Sequence, residues 1–152
     1  MKRLILIGRS EAGKSTLISA LKNEKLEYHK TQYVGYDDFI IDTPGEYAET
    51  KTLGGALGIY SYESDVVGLV TSATEHYTLF PPCIVGMATR PVIGIITKCD
   101  ADDARPEMAE LWLREAGCEK IFFTSSYNRK GVDELLDFIK SDEIQLNQHK
   151  KQ

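Results

Sequence analysis

The segment Gly8-Arg9-Ser10-Glu11-Ala12-Gly13-Lys14-Ser15 has the spacing G-x-x-x-x-G-K-[ST], whose residue types suit the grip of a polyphosphate. Glycines let backbone N–H groups turn inward around phosphate oxygens with no Cβ in the way. Lys14 has the reach to neutralise β- and γ-phosphates, and the Ser15 hydroxyl can ligate Mg²⁺. A helix beginning at this point aims its positive end at the same anion. Gly8, Glu11, Ala12, Gly13, Lys14, Ser15 and Thr16 are therefore the expected nucleotide contacts on the phosphate side.

Asp42-Thr43-Pro44-Gly45 follows the apolar Phe39-Ile40-Ile41, which places a carboxylate at the C-terminal end of a strand, where open α/β sheets bind ligands. Asp42 is expected to hold Mg²⁺ through its water shell. Gly45 is expected to offer its N–H to a γ-phosphate, which makes the next segment responsive to hydrolysis. Thr31, between the first helix and the Asp42 strand, is the expected hydroxyl of the first mobile loop; Thr50 and Thr52 compete but lie past the glycine. Ser15, Thr31 and Asp42 thus form the expected Mg²⁺ set, and Lys14 and Thr31 the expected catalytic pair.

Thr97-Lys98-Cys99-Asp100 ends a further apolar run. Guanine presents N1–H and its 2-amino group side by side, a donor pair that one carboxylate accepts and that adenine lacks, so Asp100 suits guanine. Lys98 can lay its aliphatic stem over the base, and Thr124-Ser125-Ser126 can supply a backbone N–H to the base carbonyl. Thr97, Lys98, Asp100, Ser125 and Ser126 are the expected base-side contacts. A solvated acidic loop, with Asp102 and Asp103 close behind, is the plainer alternative.

These loops need a scaffold, and the periodicity supplies one. Leu4–Ile7, Val66–Val70, Val92–Thr97 and Ile121–Thr124 read as buried parallel strands. Gln32–Tyr36 and Phe39–Asp42, joined at Asp37-Asp38, read as a hairpin on the sheet edge. Helices are expected after Lys14 and over Tyr47–Tyr60, Thr78–Met87, Arg105–Ala116, with a stop at Gly117, and Val132–Lys140. The alternation predicts a three-layer α/β P-loop NTPase G-domain fold, its sheet mostly parallel with one antiparallel edge strand. At 152 residues there is room for one such domain, over 1–140, with a polar tail over 141–152.

A formal charge of −5 argues against broad nucleic-acid binding, which needs clustered Lys and Arg. No run approaches the length of a membrane span, and Met1-Lys2-Arg3 leads into a strand rather than a signal peptide. Cys83, Cys99 and Cys118 are odd in number and fit no zinc spacing, so reduced thiols in the cytoplasm are expected.

With these segments in order, the chain resembles the small G domains. More narrowly, K-R-L-I-L-I-G-R-S-E-A-G-K-S-T-L, Lys30-Thr31-Gln32 and I-D-T-P-G-E-Y resemble the EutP/PduV family. That resemblance implies a bacterial cytoplasmic protein of ethanolamine or propanediol utilisation, connected with metabolic microcompartments, and an acetate kinase activity for EutP-like members. Two positions depart from the G-domain pattern: Ser126 stands where alanine is usual, and Glu46 where Ras-like proteins carry a water-orienting glutamine. Arg9 is unusual within a phosphate loop, a solvated arginine being its plainer reading.

Three functions are compatible with these residues. One is a slow GTPase switch using Mg²⁺ and GTP/GDP. Another is a kinase, ATP-using, that passes the γ-phosphoryl group to acetate. The third is a nucleotide-bound targeting module that works through its surface on microcompartment shell or pathway proteins.

Overall fold

A computed structural model describes residues 3–9, 12–28, 40–42, 53–126 and 128–140. Five strands, β1 (Leu4–Ile7), β2 (Ile40–Asp42), β3 (Val66–Ser72), β4 (Val92–Thr97) and β5 (Ile121–Phe123), form one sheet in the order β2-β1-β3-β4-β5. Helices α1 (Lys14–Tyr28), α2 (Leu53–Glu63), α3 (Pro106–Ala116) and α4 (Val132–Lys140) connect or follow them. All strand pairings among the described residues are parallel. The expected antiparallel partner at Gln32–Tyr36 lies outside those residues, as do residues 47–52 of the expectation Tyr47–Tyr60; the observed helix is Leu53–Glu63.

Successive residues of a strand face opposite sides, and two apolar layers follow from that alternation. Leu4 and Leu6 of β1 pack with Val66 and Val70 of β3 under Leu17 and Leu21 of α1 and Val132, Leu135, Leu136 and Ile139 of α4. Ile5 and Ile7 face the other way, joining Val67, Leu69 and Ile96 under Leu57 of α2 and Ala109 and Leu113 of α3. β1, β3 and β4 are buried on both faces, as their continuous apolar runs require. This is the three-layer α/β architecture of P-loop nucleotide-binding proteins.

β3 runs on to Ser72, where register with β4 pairs Ser72 with Thr97. The helix expected over Thr78–Met87 does not form; only a short 3-10 turn, Ile84–Met87, is present. Pro81 and Pro82 lack N–H donors, and Cys83 takes a left-handed φ of 63° while its N–H donates to Glu115 O at 2.9 Å. Gly117 closes α3 as expected, at φ 114° with Cys118 N–H bonded back to Leu113 O.

β1 has neighbours on both sides that leave it in opposite directions along the sheet. The strand order therefore reverses at the C-terminal end of β1, the place where α/β sheets open a crevice for ligands. The segment that follows Ile7 begins at that crevice.

Candidate functional site

Gly8 leaves β1 against β3 so closely that a Cβ there would lie 2.6 Å from Val70 O, which explains why this position is glycine. Ala12 N–H donates to Arg9 O at 3.0 Å, and Gly13 turns the chain at φ +87°, a region an L side chain rarely enters. Leu17 N–H then bonds Gly13 O at 3.0 Å, and α1 is under way. Lys14 is 4% exposed. Its Nζ donates to Gly8 O at 2.7 Å and Arg9 O at 3.0 Å, so the ammonium is held against the loop instead of reaching into solvent. A buried ammonium requires such partners, and this one is pre-positioned where the loop and the start of α1 favour an anion. Ser15 and Thr16 are exposed on the first turn.

The loop after β4 is fixed to the loop after β1. The Thr97 hydroxyl, 2% exposed at the end of β4, donates to Ala12 O. Lys98 adopts a left-handed φ of 58°, and its Cε passes 3.5 Å from where a Gly13 Cβ would stand. Thr124 ties β5 to β4 with both its N–H (2.7 Å) and its hydroxyl (2.9 Å) on Ile96 O, and Cys99 N–H returns to Thr124 O at 3.2 Å. Ser125 is 1% exposed and its N–H donates to Lys130 O at 2.9 Å, so it braces the turn. Ser126 is the residue of that pair that reaches the cleft.

Gly13, Thr16, Thr97, Lys98, Asp100 and Ser126 line one cavity. The structure thus gathers expected residues from the ends of β1, β4 and β5 around one opening. Asp42 ends β2 in register with Leu6, one strand across from the phosphate loop. Ser15 stands on the first turn of α1, and β2, which Asp42 ends, packs beside that helix. Glu11, Thr31, Gly45 and Glu46 lie outside the described residues.

Arg9 is not a solvated arginine. Its Nη2 donates to Tyr77 OH at 2.6 Å, its guanidinium lies 4.6 Å from the Tyr77 ring centroid, and its Nε stands 3.9 Å from Glu75 Oε1. Burial pushes the Glu75 carboxyl up from 4.5 to about 7, against the opposing pull of Arg9, Lys98, a Ser72 backbone hydrogen bond and Lys14. Sequence reasoning did not find Glu75. Its signal was a carboxylate just past the end of a buried strand, which gains meaning only once β3 is known to adjoin β1. All three cysteines are free thiols; burial pushes Cys118 up to about 12 and Cys99 upward, which keeps both protonated.

Among the described residues no helix is long and apolar enough to cross a membrane. A family model described as "Ethanolamine utilisation - propanediol utilisation" matches residues 1–141. The propanediol utilization protein PduV of Citrobacter freundii is 42% identical over 144 residues, 94% of this chain and 96% of that protein. The probable acetate kinase EutP of Escherichia coli K12 is 32% identical over 145 residues, 93% of this chain and 91% of its own. GTPase Der of Sulfurihydrogenibium is 30% identical over 169 residues, matching 90% of this chain but 37% of Der. Phosphate-loop motif, sheet order and near full-length similarity agree, and the chain belongs to the PduV-EutP family of ethanolamine and propanediol utilisation.

Proposed function

We propose that this chain binds a Mg²⁺–purine nucleotide, prefers GTP, and hydrolyses it slowly as an accessory of ethanolamine or propanediol utilisation. The observation that supports this most is the shared cleft: Gly13 and Thr16 of the phosphate loop border the same opening as Lys98, Asp100 and Ser126. In this reading backbone amides and Lys14 hold the β- and γ-phosphates, while Ser15, Thr31 and Asp42 serve Mg²⁺. Asp100 accepts the two donors of guanine, and Ser126 N–H meets its carbonyl, since Ser125 N–H is already bonded to Lys130 O. The similarity to GTPase Der supports the same assignment. We place the protein in the cytoplasm, associated with a bacterial microcompartment.

A second reading rests on the EutP relatives, whose name is probable acetate kinase. There the γ-phosphoryl group passes from ATP to an acetate oxygen, with nucleoside diphosphate as leaving group, and acetyl phosphate forms. Calorimetry with GTP, GDP, ATP and ADP in the presence of Mg²⁺, followed by product analysis with and without acetate, separates the two. Phosphate release from GTP, unchanged by acetate, supports the first reading. Label moving from the γ-position to acetate supports the second, and no affinity for any of these nucleotides overturns both.

A further inference from the structure

A second cavity, of about 170 Å³, opens beside the nucleotide cleft and is lined by Arg9, Ser72, Thr74, Glu75, Tyr77 and Lys98, among others. Lys98 borders both cavities. This volume is well below the roughly 300 Å³ at which sites for larger organic ligands begin, so a ligand of a few heavy atoms fits. The lining is rich in donors: two cationic side chains and several hydroxyls. Such a lining selects an oxyanion.

One group is out of place in a plain anion site. The Glu75 side chain is 10% exposed, its Oε1 has no hydrogen-bond partner among the described residues, and Arg9 Nε at 3.9 Å is beyond hydrogen-bond reach. Leaving a buried carboxyl oxygen in that condition is costly. A bare carboxylate would also repel an anion beside it, whereas a single proton between the two satisfies both.

We propose that this cavity binds a small oxyanion, the size of acetate or inorganic phosphate, with Arg9 and Lys98 as counter-charges and one proton shared between the ligand and the Glu75 carboxyl. The inference does not depend on which base the neighbouring cleft takes. The charged and titratable groups around Glu75 are Arg9 and Lys14 from the phosphate loop, Lys98 after β4, and His76 and Tyr77 on its own loop, with Arg105 Nη2 3.4 Å from His76 Nδ1. Near neutrality the Glu75 proton is available, because burial holds its carboxyl at about 7. Acetate arrives without a proton and uses that of Glu75. Phosphate brings its own.

Amide chemical shifts followed during titration with sodium acetate, sodium phosphate and, as control, sodium chloride test this, on the chain alone and with saturating Mg²⁺–GDP. Saturable shifts are expected at Arg9, Ser72 and Thr74 to Tyr77, present with GDP bound. Acetate affinity should fall as pH rises from about 6 to about 8, while phosphate persists. In Glu75→Gln, whose amide is a permanent donor, acetate should bind with little pH dependence. Arg9→Ala, checked for folding by its amide spectrum, should weaken both ligands about tenfold. Shifts that follow ionic strength alone, shifts centred on Gly13 and Lys14, or a Glu75→Gln variant with an unaltered pH profile would each overturn the inference. The titrations without nucleotide decide the point even if GDP fails to bind, so the two readings fail separately.

Discussion

The Thr97 hydroxyl donates to the Ala12 carbonyl, and a residue ending β4 is thereby fastened to the loop that follows β1. The loop after β1 and the loop after β4 share this buried joint, so neither moves alone. Thr97→Val keeps the shape and removes the donor, leaving the Ala12 carbonyl buried without it. A loss of about 1–2 kcal/mol in denaturant unfolding is expected, together with weaker binding of GTP and ATP alike. A selective effect on GTP alone would place Thr97 in base reading instead.

Lys14→Ala removes an ammonium that the loop carbonyls of Gly8 and Arg9 hold in place. Nucleotide binding is expected to vanish in calorimetry while the amide spectrum stays that of a folded protein. Stability should fall by about 1–2 kcal/mol, since the Gly8 and Arg9 carbonyls lose their donor while the ammonium takes its own desolvation cost with it. Unchanged nucleotide affinity would contradict the phosphate assignment.

Asp100→Asn exchanges an acceptor of two hydrogen bonds for a side chain with one acceptor and one donor group. GTP affinity should drop by about tenfold or more, as expected for losing a charge-assisted hydrogen bond. Xanthosine triphosphate, which offers a carbonyl where guanine has an amine, should be spared or improved. Equal loss of the two nucleotides in parallel titrations would remove Asp100 from the base site.

Glu75 makes stability depend on pH in a direction opposite to that of a salt-bridged carboxylate. Its carboxyl is raised from 4.5 to about 7 in the fold, so between these values the native state holds more protons than the unfolded chain. Its contribution is fully favourable below the lower value and is lost as pH rises through the upper one. Denaturant unfolding of the parent chain and Glu75→Gln should therefore diverge in favour of Gln from about pH 5 to about pH 7.5. A constant difference across that range would show that the carboxyl titrates as in water.

Legibility in the sequence followed the physics of each segment. Leu4–Ile7, Val92–Thr97 and Val132–Lys140 carry one-sided or unbroken apolar patterns with clear ends, and the elements have those bounds. The stretch from Thr78 to Met87 has helical spacing too, but Pro81-Pro82 withholds the hydrogen bonds that spacing presumes. Gly13, Lys98 and Asp100, which line one cavity, could be singled out because each lies in a local motif. Arg9 and Glu75 were not, because their meaning comes from a contact between β1 and β3 loops that no local pattern encodes.

Gly131 shows how a residue outside the cleft governs it. It precedes α4 at φ +77°, and a Cβ there would lie 1.9 Å from Phe123 O and 2.9 Å from Phe123 C. Neither atom is the end of a flexible side chain; both belong to the backbone that closes β5 and leads into Ser125 and Ser126. The opposite wall is equally committed, since Leu135 N–H bonds Gly131 O at 3.1 Å and Val132 is buried in the core. Gly131→Ala must therefore displace either the start of α4 or the Ser126 turn, at a cost of about 2–3 kcal/mol in unfolding free energy. Displacing the turn moves Ser126 but not Lys14, which begins α1. Guanine nucleotide affinity should then fall more than that for inorganic triphosphate, and calorimetry with the two ligands measures the difference.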